Sequence, residues 1–152
     1  ELGIAIAKKN ALLVFGVEHN QDHLPDIAYE GLASVGGTAL GIFRTKEEMV
    51  SSPYMNVIPV VTGMQRGAGW EAVIVLSSQV LIVVGGRAGT MQEVAIAYQA
   101  GIPVIVINGS GGFSDLLTSS DNFLQFKKGQ HMFVVQSASE AVDLAIQLAR
   151  HE

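Results

Sequence analysis

The 152-residue chain has no cysteine, which removes disulfides, thiolate metal sites and cysteine nucleophiles and leaves its compartment unmarked by redox chemistry. It is also short of charge. Only 15% of its residues are Asp, Glu, Lys or Arg, and its nine Lys and Arg are outnumbered to a formal net charge of -5. The clustered cations that displace counterions from a nucleic-acid duplex are therefore lacking. Each apolar run stops within about ten residues at Gly, Pro or a polar residue, well short of the ~20 that span a bilayer, and the opening residues do not read as a basic, apolar leader. These absences predict a cytoplasmic protein that takes neither a nucleic-acid polymer nor a membrane as partner.

What the chain does have is apolar surface. Apolar residues make up 49% of it, a composition that suits a sheet covered by helices on both faces. So little charge also predicts a homodimer or higher homo-oligomer, in which part of that surface is covered by a second copy. The length fits one domain over residues 1–152, with no internal repeat or linker.

The residue pattern alternates between strand and helix. Helices are predicted over 1–9, 25–32, 70–78, 88–100 and 137–150, with a short one over 114–117 and a capped turn where Thr45 precedes Glu48. Strands are predicted over 11–15, 38–43, 56–61, 80–84, 103–107 and 132–135. The runs 80–84 and 103–107 are apolar throughout and are expected at a sheet centre. Alternation of this kind implies α/β architecture: a doubly wound, mainly parallel sheet with right-handed crossovers, a Rossmann-like three-layer sandwich. Such folds open on a strand, and this chain opens inside a helix, so the first strand is expected to be missing from it.

The sharpest local pattern is Gly85-Gly86-Arg87-Ala88-Gly89-Thr90, set between the strand ending near Val84 and the helix starting at Ala88. Glycines at 85, 86 and 89 allow a sharp turn and close approach of a ligand to the backbone, while the free N–H groups of the helix start attract an anion. Arg87 supplies a countercharge and Thr90 a hydroxyl. The spacing is neither the dinucleotide fingerprint nor a Walker A loop, which ends in Gly-Lys-Ser/Thr. Gly109-Ser110-Gly111-Gly112 follows the next strand and is expected to line the same pocket, because ligands of open parallel sheets sit beyond the strands' carboxyl ends.

Residues 79–107, with Gly85-Gly86-Arg87-Ala88-Gly89-Thr90, Glu93 and Gly101-Ile102-Pro103-Val104, resemble the SLOG-type Rossmann-like proteins long labelled "possible lysine decarboxylase". That group includes the Lonely guy phosphoribohydrolases, DprA-related proteins and molybdenum cofactor carrier proteins. Gly111-Gly112-Phe113-Ser114-Asp115 is similar to the carrier branch, and Val84 stands where the other branches open the turn with Pro. The resemblance implies a nucleotide or a phosphorylated cofactor such as molybdenum cofactor as the bound group, held by Gly85, Gly86, Arg87, Gly89, Thr90, Gly111 and Gly112. For the phosphoribohydrolases it implies catalysis on the N-glycosidic bond of a nucleoside 5′-monophosphate by the motif Glu, here Glu93, with an Arg from the preceding helix. Trp70-Glu71 occupies that Arg position in this chain, and Arg66, four residues upstream of Trp70, is the candidate replacement if the loop 63–69 folds back. Phe15-Gly16-Val17-Glu18-His19-Asn20 also replaces the family's usual glycine-rich run.

Three readings follow: a binding protein for a phosphorylated ligand, a phosphoribohydrolase using Glu93 and Arg66, and a structural or regulatory domain with a vestigial pocket. No cofactor is required for any of them. Lysine decarboxylation is excluded because none of Lys8, Lys9, Lys46, Lys127 and Lys128 lies beside a motif able to hold pyridoxal phosphate. His19 and His23 lack a third ligand and read as a solvated loop, so no metal is expected.

Overall fold

Six strands and seven helices alternate in the computed structural model of the chain, which describes residues 1–20, 22–119 and 132–150. Lys127 and Lys128 lie outside the described residues. The chain divides into two compact units, Glu1–Ser77 and Ser78–Glu152. The arrangement is α/β and Rossmann-like, with every strand pair parallel.

In the first unit α1 (Leu2–Lys8) leads to β1 (Leu13–Gly16), α2 (Leu24–Ala33), β2 (Ala39–Phe43), α3 (Lys46–Val50), β3 (Val57–Val61) and α4 (Trp70–Leu76). The strands form a three-stranded sheet in the order β1-β2-β3, with Leu13 opposite Ala39 and Ala39 opposite Val57. The capped turn is present: Thr45 Oγ1 accepts from the Glu48 amide at 3.3 Å, and Glu48 Oε2 accepts from the Arg44 amide at 3.1 Å. Phe15, Leu32, Ile42 and Phe43 are fully buried, each such side chain contributing about 1.5–3 kcal/mol by leaving water. Tyr29 stacks on Phe15 with ring centroids 5.2 Å apart, and Tyr54 lies 4.4 Å from Tyr29.

The second unit contains β4 (Leu81–Val83), α5 (Ala88–Ala100), β5 (Val104–Ile107), α6 (Gly112–Thr118), β6 (Met132–Val135) and α7 (Ala138–Ala149). Its sheet has the order β4-β5-β6. Of the two runs expected at a sheet centre, β5 takes that place with Val104, Ile105 and Val106 fully buried, whereas β4 is the terminal strand of its three-stranded sheet with Leu81 and Ile82 only half-buried. An apolar, β-branched composition marks burial but carries no information on how many neighbours a strand has. α5 ends where expected, since Gly101 adopts φ 75° and the left-handed stop is followed by Pro103. Ser137 Oγ accepts from the Glu140 amide at 3.2 Å to cap α7. α6 is longer than the predicted 114–117, beginning at the second glycine of the Gly111-Gly112 pair.

Candidate phosphate site

All strands of the second sheet run the same way, so the turn after β4 and the loop after β5 emerge at one edge. Gly85 and Gly86 reverse the chain there with φ of 59° and 100°, conformations that an L side chain enters only with strain. Arg87 is the N-cap residue of α5 and makes no side-chain cap bond, in contrast to Thr45 on α3 and Ser137 on α7. The first N–H groups of α5 therefore meet no capping side chain from Arg87. Arg87, Ala88 and Gly89 are exposed, and Gly86 and Thr90 are half-buried.

The loop after β5 is laced to this turn. Gly85 N–H donates to Ser110 Oγ at 2.9 Å, while the amides of Phe113 and Ser114, in the first turn of α6, donate to the carbonyls of Gly86 and Gly85, each at 2.9 Å. Those two carbonyls are thus tied toward α6. No peptide bond among the described residues is cis, and in a trans peptide the N–H points opposite to the C=O. The amides of Gly86 and Arg87 consequently point away from the two bonds to α6.

Gly111 and Gly112 take φ of 87° and 58°, and Gly112 packs on the Gly85-Gly86 backbone so closely that a Cβ would lie 3.2 Å from Gly86 N and would collide with Gly86 O. The Thr90 side chain folds over Gly86 from the other direction, its Cβ and Cγ2 standing 2.6 and 2.7 Å from where a Gly86 Cβ would be. The structure thus brings Gly85, Gly86, Arg87, Gly89, Thr90, Gly111 and Gly112 to one edge of one sheet. Glu93 is half-buried one turn beyond Thr90 on α5.

Arg66 belongs to the first unit, where it forms an ion pair with Glu18 and lies over the Trp70 ring at 5.7 Å. Within the loop 63–69, Gly67 N–H donates to both carboxylate oxygens of Glu71 at 2.9 Å. Trp70 is buried and donates from its indole N–H to Ile42 O at 3.1 Å. Its ring fills the space over Gly16, where a Cβ would stand 2.5 Å from Trp70 Cη2. His23 Nδ1 donates to Oδ2 of buried Asp26 at 3.1 Å, and its Nε2 is 4.0 Å from Glu18. No group of three or more His, Asp or Glu side chains among the described residues could hold a metal ion.

The profile of the SLOG cluster4 family matches residues 1–142. The chain belongs to the SLOG cluster4 family. Several solved structures resemble this SLOG cluster4 protein. The protein TM1055 is 28% identical, with a TM-score of 0.79 over 96% of this chain and 84% of its own. The molybdenum cofactor carrier protein of Chlamydomonas reinhardtii is 29% identical, with a TM-score of 0.73 over 99% and 85%. The molybdenum cofactor binding protein of the phototrophic bacterium Rippkaea orientalis is 27% identical, with a TM-score of 0.75 over 97% and 83%. Comparison with curated proteins gave no match.

The sequence places Ser110 and Ser114 in the segment after β5 but assigns neither hydroxyl a role in this SLOG cluster4 site. Ser110 and Ser114 carry the hydroxyls that join the two glycine loops, their oxygens 2.7 Å apart. The available signal was a serine on each side of Gly111-Gly112, short side chains able to bond neighbouring backbone where the glycines leave it accessible.

Proposed function

We propose that this SLOG cluster4 chain is a binding protein for a phosphorylated cofactor, a nucleotide or pterin-nucleotide of which molybdenum cofactor is one. Its phosphate would rest on the N–H groups of Gly86 to Thr90 with Arg87 as countercharge. The likeness to two proteins described as binding or carrying molybdenum cofactor supports the ligand class. The low charge and apolar surface of the chain support a cytoplasmic homo-oligomer.

The observation that carries the reading is Gly89. Gly85, Gly86, Gly111 and Gly112 each have an internal reason to be glycine, a left-handed φ or backbone contact. Gly89 has neither: it is helical and exposed, and a Cβ there would meet nothing within 4 Å. A glycine inside a helix costs about 0.5–1 kcal/mol relative to alanine, and a ligand that must touch the backbone is the physical reason to keep one.

The hydrolase reading with Glu93 and Arg66 gains no observation of its own, because Trp70 and Glu71 are committed to packing and loop closure and Arg66 to Glu18. Binding without appreciable turnover is the expectation. The test is a thermal-shift series over nucleoside monophosphates, their unphosphorylated nucleosides and molybdenum cofactor. A ligand at about 100 times its Kd adds about 2.7 kcal/mol of stability, and only phosphorylated compounds should raise the melting temperature. Equal shifts with and without phosphate would remove the reading. Base release from AMP at roughly one per second or faster would replace it with the hydrolase.

A further inference from the structure

We infer that Ser110 is the positioning residue of the phosphate turn, the side chain that holds the β4–α5 backbone in the orientation that presents its amides. The inference rests on the phosphate reading of that turn and identifies what sets its geometry.

Ser110 lies in the loop after β5, yet its Oγ accepts from Gly85 N–H at 2.9 Å and donates to Ile107 O at 2.7 Å. It therefore joins the last carbonyl of β5 to the first residue of the turn after β4. Gly85 is buried, so without the hydroxyl its N–H would have to find another partner or shift the turn. The direction of the Gly85 peptides matters because Gly85 and Gly86 have no side chains to hold them and can otherwise exchange between conformations.

The surrounding hydroxyls leave little slack. Ser110 Oγ is 2.7 Å from Ser114 Oγ, which also lies 2.8 Å from Gly111 O. Each hydroxyl has one hydrogen, so two hydrogens serve three contacts: Ser110 with Ile107, Ser110 with Ser114, and Ser114 with Gly111. Either Ser110 donates to Ile107 O and Ser114 to Ser110, or Ser110 donates to Ser114 and Ser114 to Gly111 O; in both a hydrogen lies between the two serines and Ser110 Oγ accepts from Gly85 N–H. Ser114 is fully buried and its amide already holds Gly85 O. The two peptide units that flank Gly85 are thereby each held by one member of the Ser110–Ser114 pair, 84–85 by its N–H on Ser110 Oγ and 85–86 by its carbonyl on the Ser114 amide, and the ligand served is a phosphate monoester, whose oxygens the aligned amides would take.

The full chain is titrated with AMP and with adenosine in the wild type, Ser110→Ala and Ser110→Thr, and the AMP-to-adenosine affinity ratio is read. The ratio should fall about tenfold in Ser110→Ala, the size expected for a buried amide left unpaired, and recover in Ser110→Thr, which keeps the hydroxyl. A merely structural role would lower the melting temperature of Ser110→Ala and leave the ratio unchanged, and that result overturns the inference. A wild-type protein that binds AMP no better than adenosine removes the phosphate reading itself and the inference with it. Should Ser110→Ala not fold, amide exchange in the wild type decides: the Gly85 N–H must be protected before ligand is added, and rapid exchange there overturns the inference.

Discussion

Gly112 rests against the carbonyl of Gly86, with no room between them for a Cβ. This backbone contact joins the loop after β5 to the turn after β4, and it makes Gly112 less replaceable than its neighbour. Gly111 has an equally left-handed φ of 87°, but nothing lies within 4 Å of where its Cβ would be. Gly112→Ala should therefore lose about 2 kcal/mol or more from overlap and strain together, and Gly111→Ala about 1 kcal/mol from strain alone. Urea midpoints measure both, and equal losses would mean that the two loops are not in contact.

Gly86 and Gly89 separate folding from binding. A side chain at Gly86 would meet Thr90 at φ 100°, so Gly86→Val should damage the turn itself. Gly89 has space and helical geometry. Gly89→Val should keep wild-type stability within about 0.5 kcal/mol, since valine's helix propensity is close to or better than glycine's, and should lose AMP binding. Retained affinity in this folded variant would show that no ligand approaches the backbone there.

Trp70 explains why a hydrolytic arginine is not recoverable by a single change. Its ring packs over Gly16 and its N–H is bonded to Ile42 O. Trp70→Arg should cost about 3–5 kcal/mol through the lost ring and a buried charge and give no base release from AMP. A stable, active Trp70→Arg protein would contradict the packing argument.

The β4–α5–β5 unit was legible from residues alone because every signal agreed: an apolar β-branched strand, glycines where φ is positive, a helix of 13 residues at the expected bounds and a glycine stop. The Gly85 and Gly111 loops were legible as neighbours because parallel strands deliver their carboxyl ends to one edge. What could not be read was long-range pairing. Ser110 bonds a residue 25 positions earlier, and the capture of Arg66 by Glu18 spans two loops. Spacing along the chain encodes neither. The same holds for Trp70, whose burial depends on the absence of a side chain at Gly16.

Alkaline pH tests the aromatic cluster of the first unit. The Tyr54 phenol is held above its ordinary value of 10.0 by burial first, then by the negative charge of Asp26 and a hydrogen bond to it, and burial raises Tyr29 as well. The unfolded chain thus releases these protons first as pH rises. Stability from the cluster is fully present below about pH 10 and is lost above it, as far as the pH where the folded phenols ionise. The melting temperature should fall with pH above about 10, less steeply in Tyr54→Phe. An unchanged slope in that variant would place Tyr54 outside the effect.

The most direct test of the phosphate turn is an amide-resolved NMR titration of the 16.1 kDa chain with AMP, using adenosine as the control. Saturable shifts confined to the Gly86–Thr90 amides and the adjoining Gly111-Gly112 loop with AMP, and absent with adenosine, are the expected result. Saturable shifts that leave Gly86–Thr90 unmoved, or that are the same with adenosine, would contradict it.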